Sequence, residues 1–263
     1  MLVTSRSFLE YQAFFALTDE DLAGRLLDCC AGASGFAAEA NARGGRVIAV
    51  DPAYAKGTPE LLADTDSSTT RGAAILTDHE ARFVWTWYGS RGRRDRLRRE
   101  ALALFTADLQ AHPETYAVGA LPQLPFRDDA FDLALCSHLL FTWSDVLDEQ
   151  WHDRAVHELL RVAPAVRIFP LVVQGIGDPV SFLPGLVHRL RAEGHLAEIV
   201  PVPYEFQRGA TTMLTIQRRL LPVRRSGSVY CASCGCPDPS NPGERACPVE
   251  DQRPPPVERR GRG

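Results

Sequence analysis

The sequence predicts an α/β protein built on a mostly parallel, doubly wound sheet, and three observations carry that expectation. Residues 25–51 read as strand, small-residue turn, helix and strand. Leu26 and Leu27 lead to Asp28, a turn runs through Cys30, Gly32, Ser34 and Gly35, and Val47 to Val50 end on Asp51. Second, Leu133 to Cys136 is apolar at every position, the pattern of a strand buried on both faces. Third, helix-period and strand-period segments alternate from Asp145 to Gln217, which suits a wound sheet.

The totals agree with this class. A chain of 263 residues that is 45% hydrophobic can bury a sizeable core. A net charge of −4 argues against general attraction to nucleic acid or anionic lipid. Lys56 is the only lysine, so the abundance of arginine reads as compositional bias rather than phosphate recognition. No cationic segment followed by an apolar one opens the sequence, and no run approaches the roughly 18 apolar residues of a membrane helix. A soluble, cytoplasmic protein with no membrane partner is therefore expected. In a reducing compartment Cys29, Cys30 and Cys136 are ordinary buried thiols.

Taken in order, Phe8, Tyr11, Phe14 and Phe15 recur at helical spacing within Ser7 to Leu17. Thr18 caps a second short helix with Asp19, Glu20 and Asp21 in its first turn. These helices suit either a cover for a ligand pocket or simple packing on the sheet. The small side chains of the following turn let a ligand approach the backbone closely, and a helix from about Ser34 to Arg43 aims its first N–H groups at that turn. Asp51 lies at the carboxyl end of the second strand, about 20 positions past the turn, where an acidic residue accepts from a ribose diol. The turn alone would fit any α/β protein; with Asp51 it reads as a nucleoside-cofactor site.

About 60 residues separate Asp51 from the next strand, Tyr116 to Ala120, far more than a minimal crossover of roughly 10–12. This insert, about 54–113, is expected to hold a loop at Asp64 to Thr70 and helices at Ala73 to Tyr88 and Arg93 to Ala111. Leu97, Leu102, Phe105 and Leu109 form the apolar stripe of the last helix. Trp85, Trp87 and Tyr88 stand beside Arg91, Arg93, Arg94, Arg96, Arg98 and Arg99. We read these as core aromatics and a solvated helix face, and the whole insert as a lid.

After Ala120 and Leu121 come Leu124-Pro125-Phe126, an acidic turn at Asp128-Asp129, Phe131-Asp132-Leu133, the strand to Cys136, and then Ser137-His138. A helix follows at Asp145 to Val162, a strand at Ala165 to Val173, a helix at Val180 to Glu193, and closing strands at Glu198 to Tyr204 and Thr211 to Gln217.

This succession, from about Leu22 to Arg219, resembles the class I S-adenosylmethionine-dependent methyltransferases. Asp28 to Gly35 with Asp51 match that family's first motif, and Leu124 to His138 is similar to its fourth-strand signature. The resemblance implies a Rossmann-like seven-stranded sheet, mostly parallel with the last strand antiparallel. It also implies S-adenosylmethionine as cofactor and methyl transfer to an unidentified small molecule. The cofactor residues it implies are Asp28, Cys30, Gly32, Ser34, Gly35, Asp51, Ala120, Leu121 and Ser137, with His138 as a candidate general base. Asp145 and His152 are weaker candidates, and Tyr204, Glu205 and Arg208 are substrate-side ones.

The chain departs from the family at three places. Cys30 and Ser34 stand where glycines are usual, and Ala120 where an acidic residue would receive the adenine amino group. A catalytically degenerate binding or regulatory protein on the same fold is therefore the alternative. A nicotinamide oxidoreductase would want a fuller glycine fingerprint, and a nucleic-acid acceptor would rest on the arginines of the insert alone.

Residues 1–221 are expected to form this domain, and 222–263 a Pro/Arg/Gly-rich disordered tail. Cys231, Cys234, Cys236 and Cys247 could offer four thiolates, but the second pair lacks the usual two-residue gap, so no metal is expected.

Overall fold

The polypeptide alternates strand and helix because short β-branched and leucine-rich runs are separated by capped amphipathic segments. The computed structural model describes residues 3–174 and 177–219. Two helices open it, α1 (Phe8–Phe15) and α2 (Asp19–Ala23), each started by a reciprocal capping box: Ser7 with Glu10, and Thr18 with Asp21. The strands are β1 (Arg25–Cys29), β2 (Arg46–Val50), β3 (Tyr116–Ala117), β4 (Leu133–Ser137), β5 (Ala165–Phe169), β6 (Leu196–Pro201) and β7 (Thr212–Gln217). Between them lie α3 (Phe36–Ala42), α4 (Thr58–Asp78), α5 (Arg91–Ala111), α6 (Glu149–Val162) and α7 (Leu183–Ala192).

The strands form one seven-stranded sheet in the order β3-β2-β1-β4-β5-β7-β6. Strands β1 to β5 pair in parallel, while β7 runs antiparallel to both β5 and β6. From β1 the chain builds outward through β2 and β3, then returns to place β4 on the other side of β1. That reversal opens a crevice beyond the carboxyl ends of β1 and β4. In register, Cys29 of β1 lies beside Val50 of β2 and Cys136 of β4, so the residues after each strand emerge together.

Alternation along the strands divides the core between the two faces. Leu27, Cys29, Ala134, Cys136 and Ile168 face the layer that holds Leu159 and Leu160 of α6 and Leu186 and Leu190 of α7. Leu26, Leu133 and Leu135 face an aromatic layer containing Tyr11, Phe14, Phe36 and Phe105. Burial of such side chains stabilises each layer by about 1.5–3 kcal/mol per residue.

Several sequence expectations shift at the boundaries. The expected loop at Asp64 to Thr70 is the middle of α4, held by the buried edge of Leu61, Thr65, Ser68 and Leu76, while Thr65, Thr69 and Thr70 satisfy their hydroxyls on carbonyls four residues earlier. The helix expected to reach Tyr88 stops at Asp78; beyond it, Val84 N–H bonds the Phe206 carbonyl and the aromatic stretch packs on Phe206 and Tyr204. Strand β3 covers only Tyr116–Ala117, and Ala120 instead bridges Gln123. Helix α6 begins at Glu149, where Asp148 caps it, rather than at Asp145. Strand β5 ends at Phe169 because Pro170 has no N–H to continue the ladder. The expected tail and its cysteines lie outside the described residues. Among the described residues no helix is long and apolar enough to cross a membrane.

Candidate functional site

Beyond the carboxyl ends of β1, β2 and β4 lies a cavity of about 340 Å³. It collects seven of the residues singled out from the sequence: Cys30, Gly32, Asp51, Ala120, Leu121, Ser137 and His138. The other three serve its walls from behind. Asp28 is fully buried on β1 and accepts from Tyr11 Oη at 2.9 Å. Ser34 donates to the Arg6 carbonyl and accepts the Phe36 N–H. Gly35 packs so tightly on α5 that a Cβ there would sit 2.7 Å from the Ala101 carbonyl oxygen.

The turn is held by backbone that other residues tolerate poorly. Cys30 and Gly32 have φ of 63° and 58°, and His138, across the cavity, has 56°. Cys30 therefore adopts the left-handed conformation that favours glycine, at a cost of about 1–2 kcal/mol. Strain of this kind gathers where function over-determines the backbone.

The N–H groups of the turn are not free. Gly32 N–H donates to Asp51 Oδ2 at 2.9 Å, Ala33 N–H to the Thr4 carbonyl and Gly35 N–H to the Arg6 carbonyl. Residues 3–6 thus lie as a strap over the small-residue turn, and the close approach read for a ligand is in part made by the chain itself. This corrects the expectation of free donors at the start of α3, which begins only at Phe36.

Two carboxyls stand at this end of the cavity, Asp51 on its wall and Asp28 buried behind it. Asp28 is pushed up to about 8, first by burial and then by the charge of Asp51, while the Tyr11 bond opposes the rise. Its Oδ2 has no hydrogen-bond partner. Asp51 is also raised by burial, even though Ala53 N–H at 2.8 Å and Gly32 N–H stabilise its ionised form. Each Asp51 oxygen keeps lone-pair capacity for a further donor such as a ribose hydroxyl. Opposite, Ala120, Leu121, Trp143 and Trp151 give an apolar wall for a flat base. An adenosyl sulfonium, cationic and flat at one end, fits this donor set.

His138 is half-buried and edges against Phe14 and Phe169. Its Nδ1 lies 2.8 Å from Ser137 Oγ, and its Nε2 makes no hydrogen bond within the described residues. Burial, aided by the positive charges of Arg6 and Arg98, holds its pKa well below the usual histidine value, so the ring is neutral near pH 7.

Other candidates fall elsewhere. His152 is buried and accepts the Phe141 N–H, which fixes the loop after β4. Tyr204 is buried, bonded to Tyr88 Oη, and lines a smaller cavity that also borders His138, while Glu205 accepts the Gly209 N–H in a turn. Arg208 Nε donates to the Ala81 carbonyl, and Asp145 does not line the cavity. The sequence reading missed Thr4, Lys56, Trp143 and Trp151 as cavity walls. For Trp143 a signal existed, since loops just beyond carboxyl strand ends line α/β sites. For Thr4 none did.

No family model matches the chain. It is similar to the uncharacterized protein MJ0045 of Methanocaldococcus jannaschii, 26% identical over 222 residues that span 82% of this chain and 96% of that protein. Among solved structures it is similar to a S-adenosylmethionine-dependent methyltransferase of Thermotoga maritima, at 14% identity, 81% and 89% coverage and a TM-score of 0.39. It is also similar to the magnesium protoporphyrin IX methyltransferase of Synechocystis PCC 6803, at 12% identity, 76% and 73% coverage and a TM-score of 0.39. The topology expected from the sequence is present in the chain itself: seven strands, β7 alone reversed, and a crevice at the point where strand order turns back.

Proposed function

We propose that the protein binds S-adenosylmethionine in the cavity beyond β1, β2 and β4 and transfers its methyl group to a small-molecule acceptor. The observation that carries the reading is the convergence of Gly32, Asp51, Ala120, Leu121, Ser137 and His138, which lie on four separate chain segments, around one cavity. Asp51 is the residue to hold the ribose, Ala120, Leu121, Trp143 and Trp151 to hold the base, and Asp28 with Asp51 to balance positive charge. When bound, the cofactor supplies a methyl group already activated on a sulfonium.

The chain's share is then alignment and the exclusion of water. Ser137 fixes His138 at Nδ1, which leaves Nε2 to take the acceptor's proton. The imidazole is neutral at working pH and so has a lone pair to offer, and its lowered pKa makes it a weak base, suited to an acceptor that gives up its proton readily.

Calorimetric titration of the full chain with S-adenosylmethionine and S-adenosylhomocysteine tests the reading. Both are expected to bind, and Asp51→Asn to weaken both about tenfold or more, as loss of a charge-assisted bond does. No heat and no thermal shift with either compound would end the proposal. Reduced nicotinamide should give no fluorescence change. Isotopically labelled methyl donor with a cell extract would then identify the acceptor.

A further inference from the structure

A second cavity, of about 100 Å³, lies on the other side of His138, which borders both. Among the described residues seven buried side-chain polar atoms lack a hydrogen-bond partner. Five of them belong to residues lining this one cavity: Nε of Arg6, Arg94 and Arg98, Oγ1 of Thr142 and Oε1 of Gln174. Buried polar groups are normally satisfied, so such a concentration marks a place where a ligand completes the bonding.

The charge around it is unbalanced in one direction. Arg6 Nη1 and Arg98 Nη2 share Glu10 Oε1 at 3.4 Å each, and Arg94 Nη1 contacts Asp95 at 2.6 Å. Three guanidiniums thus meet two carboxylates. Glu10 is already engaged by Ser7 N–H, Ser7 Oγ and Tyr88 Oη, which limits what it can give the arginines. Burial and the like charge of Arg98 bring Arg94 down to about 10, an opposition that a bound anion relieves.

The remaining walls include Leu76, Phe83, Phe169 and Phe206, which suit a carbon frame rather than a bare ion. The cavity also shares Thr4, Gly72, Arg94 and Arg98 with a groove of about 620 Å³ bordered by α4 and α5, which gives a longer ligand somewhere to extend.

We propose that this second cavity is the acceptor site and that its acceptor is a small organic molecule carrying an oxyanion, a carboxylate or phosphate, gripped by Arg6, Arg94 and Arg98. The oxyanion sets the orientation, and Thr142 and Gln174 receive the polar group next to it. The assignment of the cavity to an acceptor rests on the methyl-transfer reading, whereas the oxyanion preference rests on the arginines.

The test titrates the full chain by calorimetry with acetate, benzoate, inorganic phosphate and, as a neutral control, benzyl alcohol. Each is measured with and without saturating S-adenosylhomocysteine. At least one oxyanion should bind about tenfold or more tightly than benzyl alcohol. Benzoate or acetate ahead of phosphate assigns a carboxylate, and the reverse order a phosphoryl group. Arg94→Gln should lower that affinity about tenfold or more while S-adenosylhomocysteine affinity stays within about twofold. Thr142→Val keeps every charge and removes one orphan hydroxyl; it should raise the melting point of the ligand-free protein and still weaken the oxyanion. A residue with only a structural role would not move the two in opposite directions.

Oxyanions that bind no better than benzyl alcohol, or that bind equally well to both variants, overturn the proposal. So does tight binding of a single-stranded oligonucleotide with no small oxyanion bound, which would assign the arginines to nucleic acid. If the oxyanion binds and S-adenosylhomocysteine does not, the methyl-transfer reading fails and the oxyanion site stands.

Discussion

Asp28 illustrates how one buried carboxyl couples the cavity to stability. The folded protein keeps its proton up to about pH 8, while an unfolded Asp releases it near 3.9. Between those values the folded state binds more protons, so stability falls as pH rises from about 4 to about 8, by at most about 1.4 kcal/mol per pH unit. Asp28→Asn should abolish that slope, and urea midpoints at pH 5 and pH 7.5 for both proteins check it. A bound cation favours the ionised Asp28, so S-adenosylmethionine should release protons on binding at pH 7, seen as a buffer-dependent binding enthalpy. Gly32→Ala asks a side chain to accept φ 58° and puts its Cβ 3.1 Å from the Thr4 carbonyl oxygen. It should cost about 1–2 kcal/mol and loosen the strap, read as amide exchange at residues 3–6. At this scale the sequence was informative where a motif is local. Gly32 and Asp51 announce each other by spacing, whereas Arg6, Thr142 and Gln174 meet only through the fold and carry no mutual pattern.

Elements were easier to detect than to delimit. All seven strands and helices α5, α6 and α7 follow from apolar periodicity, since burial on one or two faces is written directly into it; α4 does not. Their ends depend on local chemistry that periodicity ignores. The serine- and threonine-rich middle of α4 resembles a loop in composition, yet its hydroxyls find helical carbonyls, and Leu61, Thr65 and Ser68 supply a buried edge. Helix α6 was expected from Asp145 but starts where Asp148 caps it, its Oδ1 accepting the Trp151 N–H at 2.7 Å. Asp148→Ala should therefore lower stability by about 1 kcal/mol, while Asp145→Ala stays within about 0.5. Equal effects in chemical denaturation would contradict the assignment.

For the whole molecule, the insert turns out to be built into the core. Glu10 of α1 is fully buried and its carboxylate is held by Arg98 of α5 and by Tyr88, which precedes that helix. Burial alone would raise its pKa, but Arg98 and Arg6 outweigh this and keep it low. Arg94 and Arg98 therefore point inward, contrary to the reading of that helix as a solvated face, while Arg91, Arg93, Arg96 and Arg99 are exposed. A free lid would not carry such a buried pair. Replacing residues 57–112 by a short linker should cost about 3–5 kcal/mol through Glu10 alone, so the shortened chain should lose its cooperative melt. A truncated protein that melts cooperatively near the parent temperature would refute this.

The strap of residues 3–6 has a thermodynamic consequence. The carbonyls of Thr4 and Arg6 bond the turn bordering the larger cavity, while the Arg6 guanidinium serves the smaller one, and Thr4 borders both. If each proposed guest further orders these four residues, the second to arrive is spared that entropic loss and should bind more tightly. The enhancement must be reciprocal: the factor by which S-adenosylhomocysteine sharpens oxyanion affinity equals the factor by which the oxyanion sharpens its own.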